Sequence, residues 1–150
     1  MPKFDAKAPF PIEGGCDCRH RETGSAFVLN AIIERDHISY VAAEPEMATI
    51  PSESGAGQLI ARCPKCYVAI WSNYSRGPLR CVRVGTLDQP DCCPPNVHIF
   101  TASKQAWVVL PEGALAVEGN YERKDVWSKE SLERNEALLE RAREEEVEAK

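Results

Sequence analysis

No run of about 18 apolar residues occurs in the 150-residue chain, so no segment reads as a membrane-spanning helix. The opening residues Met1-Pro2-Lys3-Phe4-Asp5 lack the apolar stretch of a secretory signal. Basic charge is not in excess. The net charge is −5, whereas a nucleic-acid partner requires a basic face that displaces counterions from phosphates. There is no internal repeat. These absences predict a cytoplasmic protein, with the nucleus as a second compartment, and neither a nucleic-acid nor a membrane partner. What remains is ordinary globular composition, 43% hydrophobic and 27% charged, in a chain long enough to bury a core.

Cysteine is not scarce. Seven thiols are present, an odd number that does not fit complete internal pairing. Clustered cysteines in a reducing compartment are more often metal ligands or reactive thiols than disulfides.

The chain divides into three stretches. Residues 1–13 are Pro-rich and read as an irregular arm. Residues 14–122 carry short β-like segments, and residues 123–150 are charged and helical in pattern. Residues 25–41 are β-branched and aromatic, and predict one or two strands. Residues 44–57, with Pro45, Pro51, Gly55 and Gly57, read as turns. Further strands are expected at residues 58–62, 67–71, 79–84, 97–100 and 106–110, with loops at 85–88 and 90–95. Ser128 is placed to cap a helix, with Glu130 in its first turn and Trp127 able to staple onto Leu132. Leu132, Leu139 and Ala142 form a thin apolar stripe on an otherwise solvated helix, the alternative use of that helix being a partner surface. The fold class expected is mainly β, with a C-terminal α-helix.

Cys63-Pro64-Lys65-Cys66 is a C-x-x-C knuckle between two predicted strands. The spacing brings two thiolates within about 2.3 Å of one tetrahedral ion. A thioredoxin-like redox pair would want a helix after the second cysteine; here β-like sequence follows. Cys16-Asp17-Cys18, after the turn-permitting Gly14-Gly15, is a C-x-C pair whose side chains share one face on extended backbone. Cys16, Cys18, Cys63 and Cys66 together make a closed four-sulfur site with no open position, hence a structural one. Cys81 reads as a small apolar core residue in a strand, and the adjacent Cys92 and Cys93 as incidental. His98 fits either a core position or a pocket wall.

Several motifs in order resemble the glutathione-dependent formaldehyde-activating enzyme family, which includes centromere protein V. They are Gly15-Cys16-x-Cys18, Arg21-Glu22-Thr23-Gly24-Ser25-Ala26-Phe27, Arg62-Cys63-x-x-Cys66, Gly85-Thr86-Leu87-Asp88, Pro95-x-x-His98 and Ser103-Lys104-x-x-Trp107. The similarity spans residues 12 to 122. It implies a β-tent of small antiparallel sheets around one structural zinc held by Cys16, Cys18, Cys63 and Cys66. It also implies carbon–sulfur lyase chemistry of the S-(hydroxymethyl)glutathione synthase type, acting on glutathione or small-thiol adducts. The family's second cluster, C-H-C-x-x-C, holds a catalytic zinc and precedes the segment matching Arg21–Phe27. Here Cys18-Arg19-His20 runs straight into Arg21, so that cluster is missing. In a second assignment, Cys16 and Cys18 are remnants of the C-H-C cluster. Under either assignment three catalytic thiolates are not found, which points to a shortened form of an active enzyme or a variant without the chemistry. Arg62, Asp88, His98 and Trp107 are the residues left to shape a pocket. The readings that compete with an impaired lyase are a non-catalytic zinc domain serving as an interaction module and a redox thiol protein.

Overall fold

The computed structural model describes residues 26–40, 43–51, 55, 57–74 and 77–148. They fall into two compact units. One holds residues 26–29 with Asp91–Glu122. The other holds Asn30–Pro90 and the chain from Arg123 onward.

The larger unit is built on one antiparallel sheet of five strands: β1 (Asn30–Glu34), β2 (Glu46–Ile50), β3 (Gln58–Arg62), β4 (Ala69–Asn73) and β5 (Leu79–Arg83). Their order is β1-β5-β4-β3-β2, so β2 to β5 form a meander and β1 joins its far edge. Ala61, Trp71 and Val82 stand opposite one another across β3, β4 and β5 and form the buried centre of one face. Ile33, Ile38, Leu59, Ile70 and Leu87 pack around them. Ile60 and Ser72, also opposite one another, are wholly buried on the other face. Burial on both faces of β3 and β4 suits strands with no charge at their centres, while the edge strands β1 and β2 leave Ile32 and Met47 exposed. The Trp71 indole N–H donates to the Tyr40 hydroxyl at 3.0 Å, and the Arg80 guanidinium lies over its ring at 4.8 Å. Both contacts use the polar handle and π-face of a mostly apolar side chain.

Several sequence expectations need correction. Residues 44–57 are not all turn. Met47 to Thr49 pair in register with Leu59 to Ala61, and Pro45 and Pro51 bracket the strand rather than abolish it. Proline is tolerated at the ends of an edge strand, where its missing N–H takes nothing from the ladder. Gly57 supports this hairpin with a φ of 74°, and a Cβ there would meet the Ile50 carbonyl at 3.3 Å. The one or two strands expected in residues 25–41 are, among the described residues, the single strand β1, with a 3-10 turn after it at Arg35–His37. The strand expected at 67–71 begins two residues later.

In the smaller unit the strands expected at 97–100 and 106–110 do not form among the described residues. His98 makes a single parallel bridge to Ala116, and Phe100 then takes a left-handed φ of 53°, which ends any extension. Val108 donates its N–H to the Gln105 carbonyl at 3.0 Å, a turn. The alternation around Val108 survives without a ladder: Val108 is buried, while Trp107 and Val109 are exposed.

Two helices close the chain, the four-residue α1 (Arg123–Val126) and α2 (Lys129–Glu148). Ser128 caps α2 as expected, its Oγ accepting the Ser131 N–H at 3.2 Å. The stripe is real but shifted. Asn135 and Leu138 are its buried positions, and Leu132, Leu139 and Ala142 are half-buried. Polar anchors fix α2 to the end of β1. Arg134 donates from Nε and Nη2 to one Glu34 oxygen at 2.9 and 2.7 Å, and Arg35 pairs with Glu145.

Candidate metal centre

The knuckle Cys63-Pro64-Lys65-Cys66 connects β3 to β4. The ladder slips between Ala61 and Arg62, so that Arg62 lies opposite Ala69. The backbone then closes on itself: the Tyr67 N–H donates to the Cys63 carbonyl at 2.9 Å, and the Cys63 N–H to the Val68 carbonyl at 3.0 Å. Between these two bonds the chain reverses through Tyr67, a non-glycine residue with φ of 59°.

The electrostatics of this turn suit a thiolate. The backbone N–H groups of Cys66 and then Lys65 point at the Cys63 sulfur. With help from the Cys66 thiol, they hold the Cys63 thiol below its ordinary pKa. The charged Lys65 side chain adds a smaller push in the same direction. A soft, dipositive ion binds the deprotonated sulfur, so a turn that already favours the thiolate fits zinc. Cys63 is half-buried and Cys66 exposed.

All five described cysteines, Cys63, Cys66, Cys81, Cys92 and Cys93, are thiols rather than disulfides. Among the described residues no third Cys, His, Asp or Glu joins Cys63 and Cys66, and no three such side chains gather elsewhere. Cys16 and Cys18 lie outside the described residues, as does the junction of His20 with Arg21. Cys81 is in β5 opposite Ser72 and is half-buried, as expected of a strand residue.

The four pocket candidates are divided between the units. Arg62 ends β3, and its Nη1 donates to the Tyr67 carbonyl at 3.0 Å, so it belongs to the knuckle. Asp88 is exposed in the loop after the 3-10 turn Val84–Thr86. His98 and Trp107 lie in the smaller unit, His98 buried and Trp107 68% exposed. Sequence reasoning missed Tyr67. The available signal was that a turn after the second cysteine needs a left-handed residue, yet no glycine follows Cys66.

No curated protein matches the chain, and no solved structure matches it. The family model described as glutathione-dependent formaldehyde-activating enzyme matches residues 6–103, well over half of the chain and including both cysteine pairs. The described fold, an antiparallel sheet followed by a C-terminal helix, agrees with the β-rich architecture expected of that family. The chain belongs to the glutathione-dependent formaldehyde-activating enzyme family.

Proposed function

We propose that this protein is a one-zinc member of its family, with the metal held by Cys16, Cys18, Cys63 and Cys66 and with impaired turnover of glutathione or small-thiol adducts. The observation that carries the reading is the knuckle, a turn closed by the Tyr67 N–H on the Cys63 carbonyl at 2.9 Å and by the Cys63 N–H on the Val68 carbonyl at 3.0 Å, which presents Cys63 and Cys66 from one loop. Bound there, zinc would supply cross-linking rather than Lewis-acid chemistry, because four sulfurs leave no coordination position open. The chain's own contribution is to present Cys63 and Cys66 from one rigid turn while Cys16 and Cys18 come from a distant part of the sequence.

Lyase chemistry on a thiol adduct needs a second centre with an open position. A segment of the C-H-C-x-x-C kind has no counterpart in the sequence, and Cys81, Cys92 and Cys93 do not form a three-ligand group among the described residues. The reading therefore pairs a retained structural metal with lost or greatly reduced catalysis, in a cytoplasmic setting that keeps the thiols reduced.

Elemental analysis beside native mass spectrometry gives the test. One zinc per chain and no measurable turnover of S-hydroxymethylglutathione support the proposal. Two zinc ions, or turnover abolished by Cys92→Ser or Cys93→Ser, would show that the second centre has been rebuilt.

A specific observation favours a second reading, a non-catalytic interaction module. Phe100, Trp107, Val109 and Leu115 of the smaller unit are all exposed large apolar side chains. The C-terminal helix is the weaker contact surface, since Leu138 and Asn135 on its apolar face are already buried.

A further inference from the structure

Arg62, weighed from sequence as a pocket residue, has a defined partner in the fold. It sits at a ladder irregularity beside Cys63, and its guanidinium reaches forward five residues to the Tyr67 carbonyl at 3.0 Å. Tyr67 follows the second cysteine and holds a φ of 59°, a conformation costly to any residue with a Cβ. Tyr67 is 58% exposed, so packing does little to keep it there. Three hydrogen bonds act on the turn instead: Tyr67 N–H to Cys63, Cys63 N–H to Val68, and Arg62 to Tyr67. Arg62 supplies the one that is made by a charged donor, the stronger class.

We propose that Arg62 is a positioning residue for the metal: it clamps the knuckle in its ligating shape against the strain of the left-handed Tyr67. The inference rests on the reading of Cys63 and Cys66 as metal ligands. Arg62 touches neither metal nor substrate in this role. By holding the Tyr67 carbonyl it fixes the Tyr67–Val68 peptide, on the far side of the left-handed residue, and so keeps closed the turn that carries Cys63 and Cys66. The strain and the clamp are coupled. A glycine at position 67 would adopt the same conformation without cost, and the clamp would then have less to hold.

The experiment uses the full chain loaded with cobalt(II) or zinc, reading cobalt–thiolate absorption and zinc transfer to a chromophoric chelator. Arg62→Ala should weaken zinc by about tenfold, the scale of a lost hydrogen bond from a charged donor. Arg62→Lys should restore part of that, because a point charge replaces one arm of the fork. Tyr67→Gly should tighten zinc by about fivefold. In the Tyr67→Gly background, Arg62→Ala should cost less than about threefold, the signature of two coupled sites. An equal loss from Arg62→Ala in both backgrounds, or no loss in either, would overturn the proposal. If Arg62→Ala does not fold, Tyr67→Gly against Arg62→Lys decides, and unchanged affinity in both overturns it. Wild-type protein whose cobalt form shows no thiolate absorption would instead refute the metal reading itself, and the clamp with it.

Discussion

At Cys63, two backbone N–H groups and a neighbouring thiol act on one sulfur. The expected consequence in metal-free protein is a thiol that stays reactive at neutral pH. Its alkylation rate at pH 7, relative to its own rate at pH 10, should exceed that ratio for a small model thiol. Peptide mapping after timed iodoacetamide treatment reads this directly, and a ratio equal to the model's would sink it. Half of the site was legible in the sequence, because C-x-x-C fixes which atoms can reach one ion. The rest was not. The conformation of Tyr67 and the reach of Arg62 depend on how β3 and β4 slip past one another at Ala61 and Arg62, and spacing carries no trace of that slip. His98 shows the converse. Its position between Val97 and Ile99 suggested a strand, but the bridge to Ala116 is a single pair, and the left-handed Phe100 stops it.

The C-terminal helix is the element whose attachment can be dissected. Glu34 lies at the end of β1 and is nearly buried, and both donors of Arg134 converge on one of its oxygens. Its pKa lies below the ordinary carboxylate value, first because of its own backbone N–H and, against the opposing effect of burial, because of Arg134. A depressed folded pKa means stability that is present above the unfolded pKa and lost as pH falls through the folded one. Glu34→Gln should therefore cost about 1–2 kcal/mol near neutral pH, between the values for exposed and buried pairs. The difference from wild type should shrink steadily below the usual carboxylate range. Urea unfolding at pH 7 and pH 3.5 measures both, and a pH-independent difference would refute the assignment. Leu138 is 1% exposed, and Leu138→Ala should cost about 2–4 kcal/mol. Ser128→Ala should cost about 1 kcal/mol through loss of the cap. That cap was readable from sequence because capping is local. The burial of Leu138 in place of Leu139 was not, since the face a helix presents depends on where Arg134, Arg35 and Glu145 anchor it.

Over the whole molecule, the metal is expected to be part of the fold. Stripping zinc with a chelator should lower the melting temperature by about 10 °C or more, as for a ligand that binds only the folded chain. An unchanged melt would mean that the cysteines hold no structural ion. The mainly β class was legible because short apolar segments such as residues 58–62 stand next to turns, whereas the antiparallel pairing was expected only from the family resemblance. The edge strand β2 hid among prolines, and nothing in the sequence of β1 says that its neighbour is β5. That last pairing sets how the chain assembles. The meander from β2 to β5 joins segments close in sequence, whereas β1 must find a partner 53 residues away at Asn30 and Arg83, and Arg134 must then find Glu34 across 100 residues. Pairings with such long loops form late and slowly. On a ribosome, the meander can close as soon as it emerges, while β1 loses its Glu34 anchor until the final helix has been made. A chain shortened before residue 134 should therefore keep its central hairpins and expose β1 to proteolysis, which limited digestion of nascent or truncated chains would reveal.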